Sequence, residues 1–240
     1  MPDLKNTFAL VTGAGRGIGK AICRKLGAAG THVIAAARSE GEIRTVAEAI
    51  RSAGGQATDL RLDLARESSI LSVFKQIQQR FGQLDFLINN AGLGLYGPVR
   101  DFRTEHLDQL LAVNLRGAFL CCREAMRLME PRKSGYIINI SSVVGFKAYV
   151  NQAAYTATKH GLVGFTKTLA QEAQPHGVRV SIISPGGVDT DLVRAARPDL
   201  DPTVLLQPED IAQAVLYLLS LPDRAAVDEI YIRRRASQPF

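Results

Sequence analysis

Apolar residues fall along the chain in two alternating rhythms. Short apolar runs at "FALVTG" (8–13), "HVIAAA" (32–37), "ATDLRLDL" (57–64), "LDFLINN" (84–90), "GYIINIS" (135–141), "VRVSIIS" (178–184) and "EIYIRR" (229–234) predict strands. Several are apolar on both faces, as a parallel sheet covered by helices requires. Between them the apolar positions recur at helical spacing: Ile43, Val46, Ala47 and Ile50 within 41–53, then Ile70, Val73, Phe74 and Ile77 within 66–80. Further helices are predicted over about 104–129, 153–174 and 208–220. This alternation predicts right-handed βαβ units. The expected fold is therefore α/β, a doubly wound parallel sheet of about seven strands with helices on both faces. No linker rich in Pro, Gly or Ser divides residues 1–240, so one domain is expected. Residues 186–207 form the one long irregular insertion, placed after a strand end where such sheets bind ligands. A substrate lid is expected there.

Composition narrows the function without choosing it. Hydrophobic residues are 46% and charged residues 22%, an ordinary globular balance. The net charge is +6, and the pI is about 9.4. The charge is spread along the chain, and its densest run, Arg233 to Arg235, reads as solvated basic surface. No helix-turn-helix, RNP-type aromatic motif or zinc finger accompanies it, so no nucleic-acid partner is expected. No apolar run approaches the ~18 residues of a membrane span. The start "MPDLKNTFALVTG" lacks the charged head and long apolar core of a secretory leader. A cytoplasmic location and no membrane partner are the expectations. Cys23, Cys121 and Cys122 are odd in number and have no metal-ligand spacing, which argues against disulfides and against a metal site. They read as buried, inert thiols.

The first strand runs into "TGAGRGIGKAI", a glycine-rich turn that opens a helix. Gly13, Gly17 and Gly19 have the spacing G-x-x-x-G-x-G. Missing side chains let backbone approach a pyrophosphate, and the helix amino end aims N–H groups and a positive dipole end at it. The end of the second strand then bears on which dinucleotide fits. An acid there would hold ribose hydroxyls and repel a 2′-phosphate. Ala37 stands at that place, followed by Arg38 and Ser39, with Glu40 beyond the strand end. Arg38 offers a forked donor to a phosphate, and Arg16 in the turn would flank the same group. These residues favour NADP(H) over NAD(H).

In "AAYTATKHGL" Tyr155 stands one helical turn before Lys159. That spacing is common in helices and means little alone. It gains meaning from an ordered set: "TGAGRGIG" (12–19), "LDL" (62–64), "NNAG" (89–92), "VNLRG" (113–117), "NISS" (139–142), "YTATK" (155–159) and "SPGGVDT" (184–190). With these motifs nearly the whole chain resembles the short-chain dehydrogenase/reductase family. The resemblance implies a Rossmann-like fold and hydride transfer between NADP(H) and a small carbonyl or secondary alcohol. Tyr155 would be the general acid or base. Lys159 would lower the tyrosine pKa by its charge and hold the nicotinamide ribose. Ser142 would hydrogen-bond the substrate oxygen, with Ser141 turned to the other face. Asn114 would hold a water on the lysine. Gly13, Gly15, Arg16, Gly17, Ile18 and Gly19 would cradle the pyrophosphate, with Arg38 and Ser39 at the 2′-phosphate. Asp63 and Leu64 would meet the adenine, and Asn90, Ala91 and Gly92 its ribose. Pro185, Gly186, Val188 and Thr190 would hold the carboxamide. Enoyl-thioester reductases of related fold place six residues between tyrosine and lysine; three here favour carbonyl chemistry.

The chain departs from fatty-acid-type 3-oxoacyl carrier-protein reductases at its end. Those close with a V-x-G-G turn, whereas "VDEIYIRRRASQPF" has none, and His176 stands before Gly177 where they tend to carry a basic residue. The ending looks more like NADP-linked enzymes of small 3-hydroxy acids or general carbonyls. A 3-oxoacyl carrier-protein reductase, with Arg132 and Lys133 contacting the acidic carrier, is the alternative; a non-catalytic NADPH sensor is a further one. Candidate substrate-wall residues Leu93, Leu95, Tyr96, Val144, Phe146, Tyr149 and Leu192 are mostly apolar and suggest an uncharged substrate centre. Arg194 and Arg197 would instead attract a carboxylate. By resemblance, the chain is expected to form a homodimer or homotetramer through its two long central helices.

Overall fold

The computed structural model describes residues 4–196 and 201–238; Arg197 of the expected lid lies outside them. Seven strands form one parallel sheet: β1 (Phe8–Thr12), β2 (His32–Ala37), β3 (Gln56–Arg61), β4 (Phe86–Asn89), β5 (Gly135–Ile140), β6 (Val178–Pro185) and β7 (Glu229–Ile232). Their order is β3-β2-β1-β4-β5-β6-β7. The helices are α1 (Gly17–Ala28), α2 (Glu40–Ser52), α3 (Glu67–Phe81), α4 (Thr104–Leu111), α5 (Ala118–Met129), α6 (Ala153–Ala173), α7 (Asp191–Ala196) and α8 (Pro208–Leu219). This is the doubly wound, Rossmann-like sheet that the alternating pattern predicts. Among the described residues no helix is long and apolar enough to cross a membrane.

Alternation along each strand divides the core in two, because successive side chains point to opposite faces. Ala9, Val11, Val33, Ala35 and Ile138 pack with α1, α2 and α8. Leu10, Ile34, Ala36, Leu87 and Ile137 pack with α3, α5 and the carboxyl half of α6. Cys23, Cys121 and Cys122 are buried in these layers, and burial pushes all three thiols up, Cys122 to about 12.

Two expectations need correction. The helix expected over 104–129 is not continuous: a π-helical segment, Ala112–Gly117, separates α4 from α5. A π turn adds one residue to the helical repeat, a change that apolar spacing does not register. Gly117 at its end admits the chain after β3. A Cβ there would lie 2.8 Å from Leu64 Cβ and 2.9 Å from the Leu64 carbonyl oxygen. Second, the insertion 186–207 is not irregular throughout. It carries α7 and a 3-10 turn, Pro202–Val204. Its two ends are joined, with Leu206 N–H donating to the Gly187 carbonyl (3.0 Å) and Asp189 N–H to the Leu206 carbonyl (2.7 Å).

Gly117→Ala should lower unfolding stability by about 1–3 kcal/mol, because backbone of the 62–64 segment must move. Gly41→Ala, at a helical position with nothing within 4 Å of the added carbon, should raise it by up to about 1 kcal/mol. Urea unfolding of both variants checks the pair; an unchanged Gly117→Ala midpoint would show that this approach is slack.

Candidate active site

The chain leaves β1 and β4 in opposite directions at their carboxyl ends, which opens a crevice between them. The glycine turn lines it. Gly13 has φ 66° and Gly17 has φ 51°, the left-handed region in which other residues are strained. A Cβ on Gly13 would come 2.8 Å from Ala91 Cα, and one on Gly17 would come 3.1 Å from Thr190 Cγ2. The turn thus meets both the 89–92 and the 184–190 motifs. Thr12 Oγ1 accepts from the N–H groups of Asn90 and Ala91 (both 3.1 Å), and Asn90 Nδ2 donates to the Thr12 carbonyl (3.0 Å). The Asn90 amide therefore holds the crevice floor together. Helix α1 begins with no side-chain cap and no acidic residue in its first turn. Its free N–H groups and positive dipole end suit an anion.

At the end of β2, Arg38 and Ser39 are exposed. Ser39 is the N-cap of α2 and its side chain makes no capping bond. Glu40 pairs with Arg61 at 3.6 Å, and Arg16 reaches Asp191 at 3.4 Å. Glu42, which sequence reading gave no role, lies over Gly15, 2.5 Å from where its Cβ would stand.

On the far side of the crevice α6 brings up Tyr155 and Lys159, both buried. The Ser142 hydroxyl lies close enough to the Tyr155 phenol to lower its pKa in part. Ser142 Oγ also accepts from Val144 N–H at 3.4 Å. Lys159 Nζ donates to the Ile140 carbonyl at 3.0 Å and lies 5.8 Å from the Tyr155 ring centroid. Tyr96 meets the Tyr155 ring edge-on at 5.6 Å, which places this expected wall residue directly on the tyrosine. Ser141 turns the other way, toward the Lys159 carbonyl (3.5 Å). Asn114 sits in the π segment and clasps Leu93 at two points. Its Oδ1 accepts from Leu93 N–H (2.8 Å) and its Nδ2 donates to the Leu93 carbonyl (2.9 Å). Nδ2 also donates to Thr158 Oγ1 (3.3 Å). The Asn114 side chain therefore ties Leu93, just past the 89–92 motif, to α6.

With this geometry in view, the comparisons with known proteins agree with one another. A family model described as short chain dehydrogenase matches residues 7–201. The chain belongs to the short-chain dehydrogenase/reductase family. It is 35% identical to an uncharacterized oxidoreductase of Staphylococcus aureus, covering 97% of this chain and 99% of the relative. It is 36% identical to the 3-oxoacyl-[acyl-carrier-protein] reductase FabG of Escherichia coli, over 93% of each. A metagenomic short-chain oxidoreductase solved in complex with NADP superposes with a TM-score of 0.87 at 36% identity, covering 98% of this chain and 100% of that one. An alcohol dehydrogenase of Thermococcus sibiricus, complexed with 5-hydroxy-NADP, gives a TM-score of 0.90 at 29% identity, covering 98% and 99%.

Within this short-chain dehydrogenase/reductase frame, the remaining candidate residues fall as follows. Asp63 Oδ1 accepts from Ala65 N–H (3.1 Å), an Asx turn just past β3, and Leu64 is core beneath Gly117. Pro185 ends β6, Gly186 N–H donates to the Ile232 carbonyl (2.7 Å), and Val188 is buried. Arg194 is held by Asp189 through two bonds of 2.8 and 2.9 Å, so the expectation that it attracts a substrate carboxylate is not met. Sequence reading missed the Asn89–Asn139–Thr166 chain. Asn89 Nδ2 donates to Asn139 Oδ1 (2.9 Å) and Asn139 Nδ2 to Thr166 Oγ1 (2.9 Å), which ties β4 and β5 to α6. Buried amides in apolar strands were the available signal.

The electrostatics correct one expectation. Tyr155 is pushed well above the usual phenol range, first by burial, then by Tyr96, against a smaller lowering by the Ser142 hydroxyl. Lys159 is itself buried and directed at the Ile140 carbonyl. Burial lowers Lys159 to about 8. Below pH 8 folded and unfolded chains both carry that proton, and the full cost of burying the charge is present. Between pH 8 and about 10.5 the folded chain releases a proton that the unfolded chain keeps, so stability rises with pH and the cost vanishes. Lys159→Met should therefore be more stable than the parent at pH 7, by up to on the order of 3 kcal/mol. That margin should shrink as pH rises from 8 toward 10.5. Urea unfolding across this range reads it; a margin independent of pH would rule out a buried charge at Lys159.

Proposed function

We propose that the protein is an NADP(H)-dependent carbonyl reductase or alcohol dehydrogenase in which Tyr155 is the proton donor or acceptor. The observation that carries this is the placement of buried Tyr155 beside Lys159, with Ser142 near enough to act on the phenol, across the crevice from an uncapped helix amino end. The glycine cradle and α1 fit a pyrophosphate, and Arg38 with the free Ser39 hydroxyl fits a 2′-phosphate. Both solved relatives named above carry an NADP-type dinucleotide. When bound, the nicotinamide supplies or accepts the hydride.

The chain's own residues handle the oxygen. Ser142 and Tyr155 hold the substrate carbonyl from one side through their hydroxyls. Burial keeps Tyr155 protonated at ordinary pH, the form that carbonyl reduction needs. As charge develops on the substrate oxygen, the Tyr155 hydroxyl passes its proton to it. The Lys159 ammonium then stabilises the phenolate. Asn114 keeps Leu93 and α6 in register around this pair. The apolar wall of Leu93, Leu95 and Tyr96 packs on Tyr155 and limits competing water. Exposed Leu107, Leu111 and Phe119 on α4 and α5 support pairing of two copies through that face.

A second reading, a 3-oxoacyl carrier-protein reductase, is favoured by the similarity to the Escherichia coli enzyme. Against it, Arg132 is engaged by Asp85 at 2.8 Å and is poorly placed to meet an acidic carrier. Turnover of an acetoacetyl thioester alone, among a panel of carbonyls, would favour this second reading.

Tyr155→Phe should lower kcat for NADPH-dependent carbonyl reduction by roughly 10²–10⁴-fold while a complex with NADPH still forms. Retained turnover would remove Tyr155 as the acid. Arg38→Glu should cut the preference for NADPH over NADH by about 10–100-fold, the worth of charge-assisted bonds to a phosphate. A preference that survives the change would mean that the 2′-phosphate is read elsewhere.

A further inference from the structure

The arginine run near the end of the chain is not the uniform solvated surface that sequence suggests. Arg235 is exposed, but Arg233 and Arg234 are half-buried. They line a cleft of about 310 Å³ with Val143, Lys147, Gly186 and Gly187. Val143, which follows Ser142 in the chain, also packs against the apolar cluster that holds Tyr155, so the cleft and that cluster share a residue. It is bounded by the turn after β5, the end of β6 and the tail after β7.

The cations in this cleft are positioned rather than loose. Arg233 Nη1 donates to the carbonyls of Arg234 (3.2 Å), Arg235 (3.3 Å) and Ser237 (2.6 Å). Arg234 Nε donates to Ser237 Oγ (3.1 Å). The glycines let the arginines lie against the floor. A Cβ on Gly186 would be 3.4 Å from Arg233 Cα, and one on Gly187 would be 3.8 Å from Arg234 Nε. Among the described residues neither guanidinium meets a carboxylate, whereas Arg16, Arg132 and Arg194 each do. Nε and Nη2 of Arg233 and both Nη atoms of Arg234 likewise have no bond there. Two fixed, half-buried guanidinium groups, with forked donors to spare and no carboxylate partner among the described residues, match a carboxylate in charge and geometry. The volume sits at the lower end for a small ligand.

We propose that this cleft binds the carboxylate of the substrate, so that the enzyme acts on oxo acids and the corresponding hydroxy acids in preference to neutral carbonyls. This rests on the oxidoreductase reading above and names its substrate class. Arg233 and Arg234 are the specificity residues, and the cation that sequence reading sought in the lid comes from the tail.

The test compares straight-chain oxo acids with their methyl esters in NADPH oxidation, for the parent, Arg234→Gln and Arg233→Lys. In the parent, kcat/KM for the best acid should exceed that of its ester by at least about tenfold. Arg234→Gln should reduce this ratio about tenfold, and Arg233→Lys, which keeps the charge and loses the fork, should fall between. An acid-to-ester ratio near one in the parent, or an unaltered ratio in folded Arg234→Gln, overturns the proposal. Saturation-transfer NMR with hexanoate and neutral hexanamide reads the cleft without turnover. The parent should bind hexanoate alone, and Arg234→Gln should abolish that binding. Equal transfer to both probes, or hexanoate binding that persists in the variant, also overturns it. Hexanoate binding that Arg234→Gln abolishes, with no NADPH oxidation by any acid or ester, would sustain the cleft and defeat the oxidoreductase reading.

Discussion

A buried ammonium governs the arrangement of this site. Lys159 is almost wholly withdrawn from water, and among the described residues its ammonium donates to the carbonyl that ends β5. Taking a cation out of water costs several kcal/mol unless its surroundings compensate, and one carbonyl does so incompletely, which is why burial draws the lysine down to about 8. A helix under that penalty would tilt or slide to release the charge. The fold must therefore hold α6 firmly from several sides.

It does so with small residues and buried amides. A Cβ on Gly145 would stand 2.9 Å from Val163 Cγ2, so the turn that carries Ser142 lies flat on α6. Gly161 faces Leu115 of the π segment at 3.1 Å in the same sense. The Asn139–Thr166 bond locks α6 to β5, and the Asn114–Thr158 bond locks it to the π segment. Each polar link is buried and satisfied, the condition under which such links add rigidity without leaving an uncompensated group. Ser142, Tyr155 and Lys159 come from two elements, and their meeting depends on these locks.

Charge pairing separates arginines with structural work from those left for a ligand. Arg194 braces the 186–207 insertion through Asp189, Arg132 braces the amino edge of the sheet through Asp85, and Arg16 spans the glycine turn and α7 through Asp191. Arg38 has no such partner among the described residues, and it stands where the proposed 2′-phosphate would lie. Arg233 and Arg234 are likewise without carboxylates, and they stand beside the proposed substrate. The arginines without carboxylate partners are thus those for which an anionic dinucleotide or an anionic substrate is proposed.

Much of this was legible in the chain. Apolar spacing placed the seven strands to within about two residues at most ends, because burial on both faces of a parallel sheet leaves few polar positions to confuse the period. The spacing of glycines, and of tyrosine to lysine, named the candidate chemistry because backbone approach and one helical turn are local constraints. What the sequence could not decide depended on contacts between distant segments. The π segment at Ala112–Gly117 arises from packing against Leu64 and Leu93 and leaves no mark on periodicity. The sign of the Tyr155 shift depends on how much water the assembled walls exclude. Which arginines are free depends on which carboxylates folding brings to the others, and that is why "RRR" read as surface until the tail was seen against Gly186 and Gly187. The sequence by itself determined the elements and the reactive side chains; tertiary structure alone decided their protonation and their counter-ions, since desolvation and charge pairing belong to the assembled molecule.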